Sequence, residues 1–217
     1  MTKEIKIMSA IGVVVVAAGI LLVVTQKPDT GDEQEKPVDA RLLVAADSYQ
    51  TNGNKNATVT VVEFADFQCP ACAIAKPLVS ELLSRFADDP KFNFVFRHFP
   101  LGQHKNAVIA AEAAEAAGAQ GKFWEMESLL YEKQTEWDEL SDPMPNLETY
   151  ANSLGLNLDQ FKSDLAAHKY RDKILRDGRD GEAAGVSSTP TFFINGKKFV
   201  GAPQQPFLDY LQSELAK

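Results

Sequence analysis

The chain is short of basic charge. Its 217 residues carry 22 Lys and Arg against 30 Asp and Glu, a formal net charge of -8. No basic face is left over to neutralise phosphates, so nucleic acid is a poor partner. Cysteine is scarcer still, with two in the whole chain, Cys69 and Cys72. That number is too small for a structural zinc site built on cysteine and for a disulfide-stapled miniature fold. Proline and glycine, 11 and 13 residues, show no excess, which argues against collagen-like or wholly disordered chains. No internal repeat is visible. What remains is 45% hydrophobic, enough for a core in one or two domains.

Charge is also missing locally, from Ile7 to Gln26. About 20 residues at roughly 1.5 Å each span about 30 Å, the thickness of a hydrocarbon core. Lys3 and Lys6 precede the run, as in the n-region of an export signal. An uncleaved anchor with its N-terminus inside is the expectation. A cleaved signal competes, but the run is long for one and no small-x-small pair follows Val24. A buried soluble helix is a third reading. No cysteine follows closely enough for lipoprotein processing. The expected segments are a cytoplasmic n-region 1–6, a transmembrane anchor 7–26 and a polar, acidic linker 27–40. The rest would be exported to an oxidising compartment.

Thr58 to Phe64, TVTVVEF, is rich in β-branched residues and reads as a strand covered on both faces. Ala73 to Phe86 places Ile74, Leu78, Leu82 and Phe86 at helical spacing, with Pro77 as a kink. Lys91 to Phe96 is a second strand. Helices are expected over His104–Gln120, Phe123–Lys133 and Asn146–Leu154, with one or two more between Asn157 and Ala184. Thr191–Ile194 and Lys198–Val200 form a hairpin across Asn195-Gly196, and Pro206–Ala216 closes the chain as a helix.

The chemistry lies at Cys69-Pro70-Ala71-Cys72, between the first strand and the first helix. A helix N-terminus offers unpaired N–H groups and partial positive charge, and both favour thiolate over thiol. Cys69 is therefore the expected activated and exposed sulfur. Cys72, one turn on and buried, is placed to attack a mixed disulfide formed on Cys69. Pro70 lacks an N–H where none is needed. An inert structural disulfide and half of an intermolecular metal site are the bland alternatives.

Taken together, VVEFADFQCPAC, RHFPL, GKFWEM and GVSSTPTFFING resemble the membrane-anchored, DsbA-like branch of the thioredoxin superfamily, over roughly residues 50 to 217. The resemblance implies an α/β thioredoxin fold with an inserted helical domain, preceded here by one N-terminal transmembrane helix. The core would be 41–103 and 185–217, and the insertion 104–184. It implies that Glu63, six residues before Cys69, is a buried acid behind Cys72, with a raised pKa suited to moving a proton. The bland alternative is an edge glutamate reaching for water. It implies that Pro190 after Thr189 is a cis-proline facing the cysteines, leaving the Thr189 backbone to pair with a substrate chain. An ordinary trans proline is the alternative. Pro70, Ala71, Thr189 and Pro190 thus form the expected substrate-binding surface. The chain departs from the pattern at Ala71, where strongly oxidising members carry His. Losing that donor costs the thiolate about 1 kcal/mol, a shift toward a more reducing potential.

Other residues carry blander expectations. His98 and His104 read as core or capping groups, Phe123, Trp124 and Met126 as helix packing, and Glu112 and Glu115 as a solvated helix face. Asp138 to Asp142 reads as a polar loop, and His168 has no context. The expected protein is a dithiol oxidase at the cell membrane, single-pass, its catalytic domain outside the cytoplasm. Its partners would be reduced exported client proteins and, as the resemblance implies, a quinone-linked membrane redox protein, with no cofactor and no metal. A reductase or isomerase using the same pair, and a tethered chaperone with an incidental disulfide, are the rivals. Removing residues 1–36 should leave a soluble domain with full peptide-thiol activity, because the linker has no apolar contacts to lose. Precipitation or loss of activity on truncation would assign that segment to the fold.

Overall fold

The computed structural model describes residues 38–45, 51–54, 56–86 and 88–217. The expected n-region, the apolar segment 7–26 and all of the linker before residue 38 lie outside the described residues. Among the described residues no helix is long and apolar enough to cross a membrane. The elements in chain order are α1 (Ala40–Leu43), β1 (Thr51–Gly53), β2 (Val59–Ala65), α2 (Pro70–Arg85) and β3 (Phe92–His98). A helical block follows: α3 (Ala107–Gly118), α4 (Phe123–Glu132), α5 (Gln134–Trp137), α6 (Met144–Ser153), α7 (Leu158–Ala166) and α8 (Arg171–Ala183). The chain closes with β4 (Thr191–Ile194), β5 (Lys197–Val200) and α9 (Gln205–Leu215).

The five strands form one mixed sheet in the order β1-β3-β2-β4-β5. Strands β2 and β3 are parallel; every other pairing is antiparallel. Alternation along each strand divides the side chains between two faces. Val59, Val61, Phe92, Phe94, Phe192 and Ile194 pack with Val79, Leu82 and Leu83 of α2 and with Phe207 and Leu211 of α9. Val62, Phe64, Val95 and Phe193 pack on the other face with Leu43, Phe99, Ala184 and Val186. Both faces of β2 are covered, which is why its sequence is almost uninterruptedly apolar. Gly181 of α8 permits that closeness, since a Cβ there would stand 2.7 Å from the Phe99 ring and 2.9 Å from the Phe64 ring. The hairpin turns at Asn195 and Gly196, with φ of 47° and 88°, the left-handed region that Asn-Gly turns need.

A third cluster joins the sheet end to the helical block. Ala65, Phe67, Cys69, Cys72 and Phe96 pack with Ala110, Ala114, Phe123, Met126, Trp137, Phe161 and Ile174. The cysteines therefore sit in a seam between two layers.

Several expectations need correction. In α2 the buried residues are Cys72, Ala75, Val79, Leu82 and Leu83, whereas Ile74 is 77% exposed. The true buried stripe begins with small residues, which allow the helix close to the sheet, and a reading weighted to large side chains misses it. Pro77 lies within α2. Glu112 and Glu115 are buried, not solvated. The alanines of α3 are buried too, so that helix is surrounded and its acids need internal partners. Glu115 Oε1 meets His98 Nε2 at 2.8 Å and Lys173 Nζ at 2.8 Å, and Glu112 meets His168 Nδ1 at 3.1 Å. Helix α1, N-capped by Asp39, begins inside the expected linker. Strand β1 and helix α5 were not expected at all.

Candidate active site

Strand β2 ends at Ala65 and a short loop carries the chain to Cys69. Asp66 shapes that loop. Its Oδ1 accepts from the Gln68 N–H at 2.7 Å, and its Oδ2 from the Leu101 N–H at 2.9 Å. His104 Nδ1 stands 2.7 Å from the same Oδ2. The helical block holds the loop from the other side. Gln134 Nε2 donates to the carbonyls of Phe67 and Cys69 at 2.7 and 3.2 Å. Gln68 accepts from the Asn106 N–H at 2.7 Å and donates to the Asp138 carbonyl at 2.6 Å. The loop that aims the cysteines is thus fixed on both flanks.

Cys69 is the N-cap of α2 with Pro70 in the first turn. The N–H groups of Cys72 and Ala73 donate to its carbonyl at 3.1 and 3.2 Å. Both thiols are free and both are buried, Cys69 at 6% and Cys72 at 1% exposure. This corrects the expectation of an exposed Cys69. Pro70 and Ala71 are the exposed members of the motif.

The two sulfurs differ sharply in acidity. Hydrogen bonding from the Cys72 thiol, helped by Thr189 and then by the Cys72 and Ala71 amides and opposed by burial, pushes the Cys69 pKa down to about 5. Burial first, then the neighbouring Cys69 and the charge of Glu63, push the Cys72 pKa far above the ordinary thiol range. One sulfur is an anion at neutral pH and the other keeps its proton.

Glu63 lies in the middle of β2, in register with Phe96 on one side and Phe192 on the other. It shares the β2 face of Val61 and Ala65, the face covered by α2. At 3% exposure its carboxyl is pushed up to about 8, chiefly by burial, then by Glu127, with Lys76 opposing. Lys76, one turn past Cys72 on α2, pairs with the buried Glu127 of α4.

The Thr189–Pro190 peptide bond is cis. The Cys69 Sγ stands 3.5 Å from the Thr189 carbonyl, so the loop before β4 faces the first sulfur. The structure therefore gathers Cys69, Cys72, Pro70, Ala71, Thr189 and Pro190 at one end of the sheet, with Glu63 further back within β2. Reading the sequence alone misses Asp66, Gln68, Asn106, Gln134, Lys76 and Glu127. Asp66 and Gln68 carried a signal in their nearness to Cys69. The others lie distant in sequence, and Lys76 looks like any surface lysine of a helix. His98 and His104 have separate acidic partners, Glu115 and Asp66. Phe123 and Met126 are buried in the seam, where Trp124 packs partly buried against them.

A family model described as thioredoxin matches residues 47–210. A crystal structure of a thioredoxin-like oxidoreductase from Silicibacter pomeroyi DSS-3 is 26% identical, with a TM-score of 0.67, covering 82% of this chain and 98% of that one. BdbD from Bacillus subtilis, in its oxidised form, is 22% identical with a TM-score of 0.70, covering 83% of this chain and 97% of its own. The alpha-DsbA1 protein of Wolbachia pipientis is 23% identical with a TM-score of 0.69, covering 81% and 95%. These last two share the fold. Among curated proteins, one named Na(+)/H(+) antiporter NhaA 1 from Salinispora arenicola is 42% identical over 166 residues, 76% of this chain and 24% of that protein. The chain spans about a quarter of the length of the curated relatives it matches.

Two titrations follow from these environments. Thiolate absorbance of the reduced protein should rise with a midpoint near 5 and be lost in Cys69→Ser, not in Cys72→Ser with its second sulfur removed; a midpoint near 9 would refute the assignment. For Glu63 the folded pKa, about 8, exceeds the ordinary 4.5. The folded state then holds a proton that the unfolded state releases. Stability should fall by about 1.4 kcal/mol per pH unit between those values and level off above them. Glu63→Gln should abolish that slope, so urea unfolding would show the variant gaining on the wild type from pH 4.5 to 8. Parallel curves would show that Glu63 is charged throughout.

Proposed function

The chain belongs to the thioredoxin family, and we propose that it is an extracytoplasmic thiol–disulfide oxidoreductase acting as a dithiol oxidase through Cys69 and Cys72. The observation that carries this reading is the inequality of the two sulfurs. An oxidant of thiols must prefer its own reduced state, and a stabilised thiolate at Cys69 is that preference in structural form. A pKa held near 5 favours the reduced protein at neutral pH by a shift on the order of tens of millivolts. The Cys72 thiol, Thr189 and the Cys72 and Ala71 amides supply this, so Ala71 in place of a histidine does not leave the anion unsupported.

In the proposed reaction a client thiolate attacks Sγ of Cys69 in the Cys69–Cys72 disulfide. The bond between the two sulfurs breaks, a client–Cys69 disulfide forms, and Cys72 leaves and takes up a proton. Glu63, behind Cys72 and holding a proton up to about pH 8, is the donor. A second client thiolate then attacks the client sulfur of the mixed disulfide. The client gains its disulfide and Cys69 departs as the stable thiolate. The Thr189 carbonyl, 3.5 Å from Cys69 Sγ, would pair with an extended client backbone, and exposed Pro70 and Ala71 would flank the approach. The two electrons left on the cysteines would pass to a quinone-linked membrane redox partner. The apolar segment 7–26 would hold the domain outside the cytoplasm at the cell membrane. Antiporter activity belongs to relatives of which this chain matches a quarter, and it has no part in this reading.

The test is a trap. In Cys72→Ser the Cys69 thiolate attacks a client disulfide, the reverse of the last step, and no second sulfur is present to expel the client, so mixed disulfides with exported proteins should accumulate and vanish on reduction. Alkylation of cells at their resting state should find the wild-type pair oxidised. A resting dithiol would make the protein a reductase or isomerase, and absence of any trapped client would leave only a tethered binding module.

A further inference from the structure

Helix α8 carries two glycines in its interior, Gly178 and Gly181, where glycine is among the least favourable residues a helix can hold. Packing explains Gly181, since a Cβ there would collide with the rings of Phe99 and Phe64. Packing does not explain Gly178. A Cβ there would meet only Pro100 Cδ, at 4.0 Å, an ordinary contact. The fold has room for a side chain at this position, and the missing side chain leaves open space. Gly178 lines a cleft of about 540 Å³, a volume typical of sites that bind a ligand group. Residues 99–102, after β3, form one wall. Leu175, Gly178, Arg179 and Glu182 of α8 form the other, and Val186 and Ser187 close one end. The lining is mainly apolar, and Leu175 stands 38% exposed. Arg179 and Glu182 bring one charge of each sign, so the cleft has no net charge to select an ion.

Both walls lead to the redox pair. The Leu101 N–H donates to the Asp66 carboxylate at 2.9 Å, and the Asp66 carbonyl accepts from the Cys69 N–H at 3.0 Å. Across the cleft, Ser187 precedes Thr189 by two residues, at most about 7 Å of chain. The Thr189 carbonyl is the one 3.5 Å from Cys69 Sγ. An extended client advances about 3.3 Å per residue. A client residue two or three places from the cysteine engaged at Cys69 therefore reaches the cleft.

On the oxidoreductase reading above, we propose that this cleft is a client-recognition subsite for a large apolar side chain two or three residues from the client's reacting cysteine. Gly178 is the specificity-determining residue, because its lack of a side chain keeps the cleft open. Recognition of this kind rests on apolar area removed from water and is not directional. It suits clients that share nothing but an apolar residue near a cysteine. Such a residue is exposed while the client is unfolded and enters the client's own core once it folds. The subsite thus holds the unfolded thiol and loses its grip on the folded product.

Two reduced dithiol peptides test this with the oxidised full chain in detergent. One carries Phe, the other Ser, two and three residues from each cysteine. The wild type should oxidise the Phe peptide with a kcat/KM about tenfold or more above that of the Ser peptide, the scale of burying one ring. The difference should lie in KM, since the ring is held equally before and during sulfur transfer. The ratio of the two peptides is read within each variant, so a general loss of activity cancels. Gly178→Leu, which fills the cleft with a good helix former, should bring the ratio to about one. Leu175→Ser, at the exposed rim, should lower it part of the way. A wild-type ratio near one overturns the proposal while the oxidoreductase reading stands. So does a wild-type ratio retained in Gly178→Leu, or in Leu175→Ser should Gly178→Leu not fold. Failure of the wild type to oxidise either peptide would overturn the oxidoreductase reading itself.

Discussion

Two sulfurs one helical turn apart are given opposite electrostatic surroundings, and the rest of the structure is arranged around that difference. Cys69 caps α2, where amide N–H groups point at it and its neighbour donates to it. Cys72 is one turn deeper, where α2 meets the sheet and the helical block, and its anion has little to solvate it. A helix end alone is worth too little to separate two thiols this far, since its field fades within a turn. The separation comes from burial of the second sulfur. Burial in turn needs a layer of protein over the sheet end, and the seam of α3, α4 and α5 provides it.

That layer has to be rigid, because a loop free to move would let water reach Cys72. Gln134 and Asn106 are the fasteners. Gln134 holds the carbonyls on both sides of Gln68, and the Asn106 amide reaches the carbonyls of Trp137, Asp138 and Leu140 at 3.2, 2.9 and 2.9 Å. Further from the sulfurs the same interface is charged. Arg97 is completely buried. It donates to Asp177 at 2.9 Å, to Asp180 at 2.6 Å and to the Leu43 carbonyl at 2.9 Å. Buried pairs of this kind add little net stability, yet are costly to break because a lone charge is left behind. They resist any sliding of α8 over β3, since every alternative register strands a charge.

The thioredoxin core was legible in the sequence because its signals are local. The β-branched run of β2, the cysteine pair opening α2 and the Asn-Gly hairpin each announce themselves within a few residues. Glu63 was legible for a related reason, as an acid in an apolar strand is conspicuous. The helical block was legible only as helices. Glu112 and Glu115 look solvated because an alanine-rich helix with two acids is also what a surface helix looks like. Their partners His98, His168 and Lys173 come from a strand and from distant helical segments, and no local pattern links them. Lys76 and Glu127 were hidden in the same way. Strand β1 is three residues long and carries Asn and Gly, so propensity argues against it. Its pairing with β3 is what makes it a strand.

The division of labour between the layers bears on direction. In the proposed oxidase cycle the core makes Cys69 acidic, which sets how strongly the protein wants electrons. The helical block buries Cys72, which keeps the proton on that sulfur. Ala71 leaves these two controls joined. A histidine there would act on the Cys69 anion from the exposed side and change the potential without touching Glu63. With alanine, support for the anion comes from the Cys72 thiol, from Thr189 and from backbone amides fixed by α2 itself. Because the Cys72 thiol is the largest of those supports, any group that takes its proton also withdraws stabilisation from Cys69. Potential and proton transfer are therefore coupled through one hydrogen bond, and the chain gains an oxidising Cys69 only while Cys72 stays protonated.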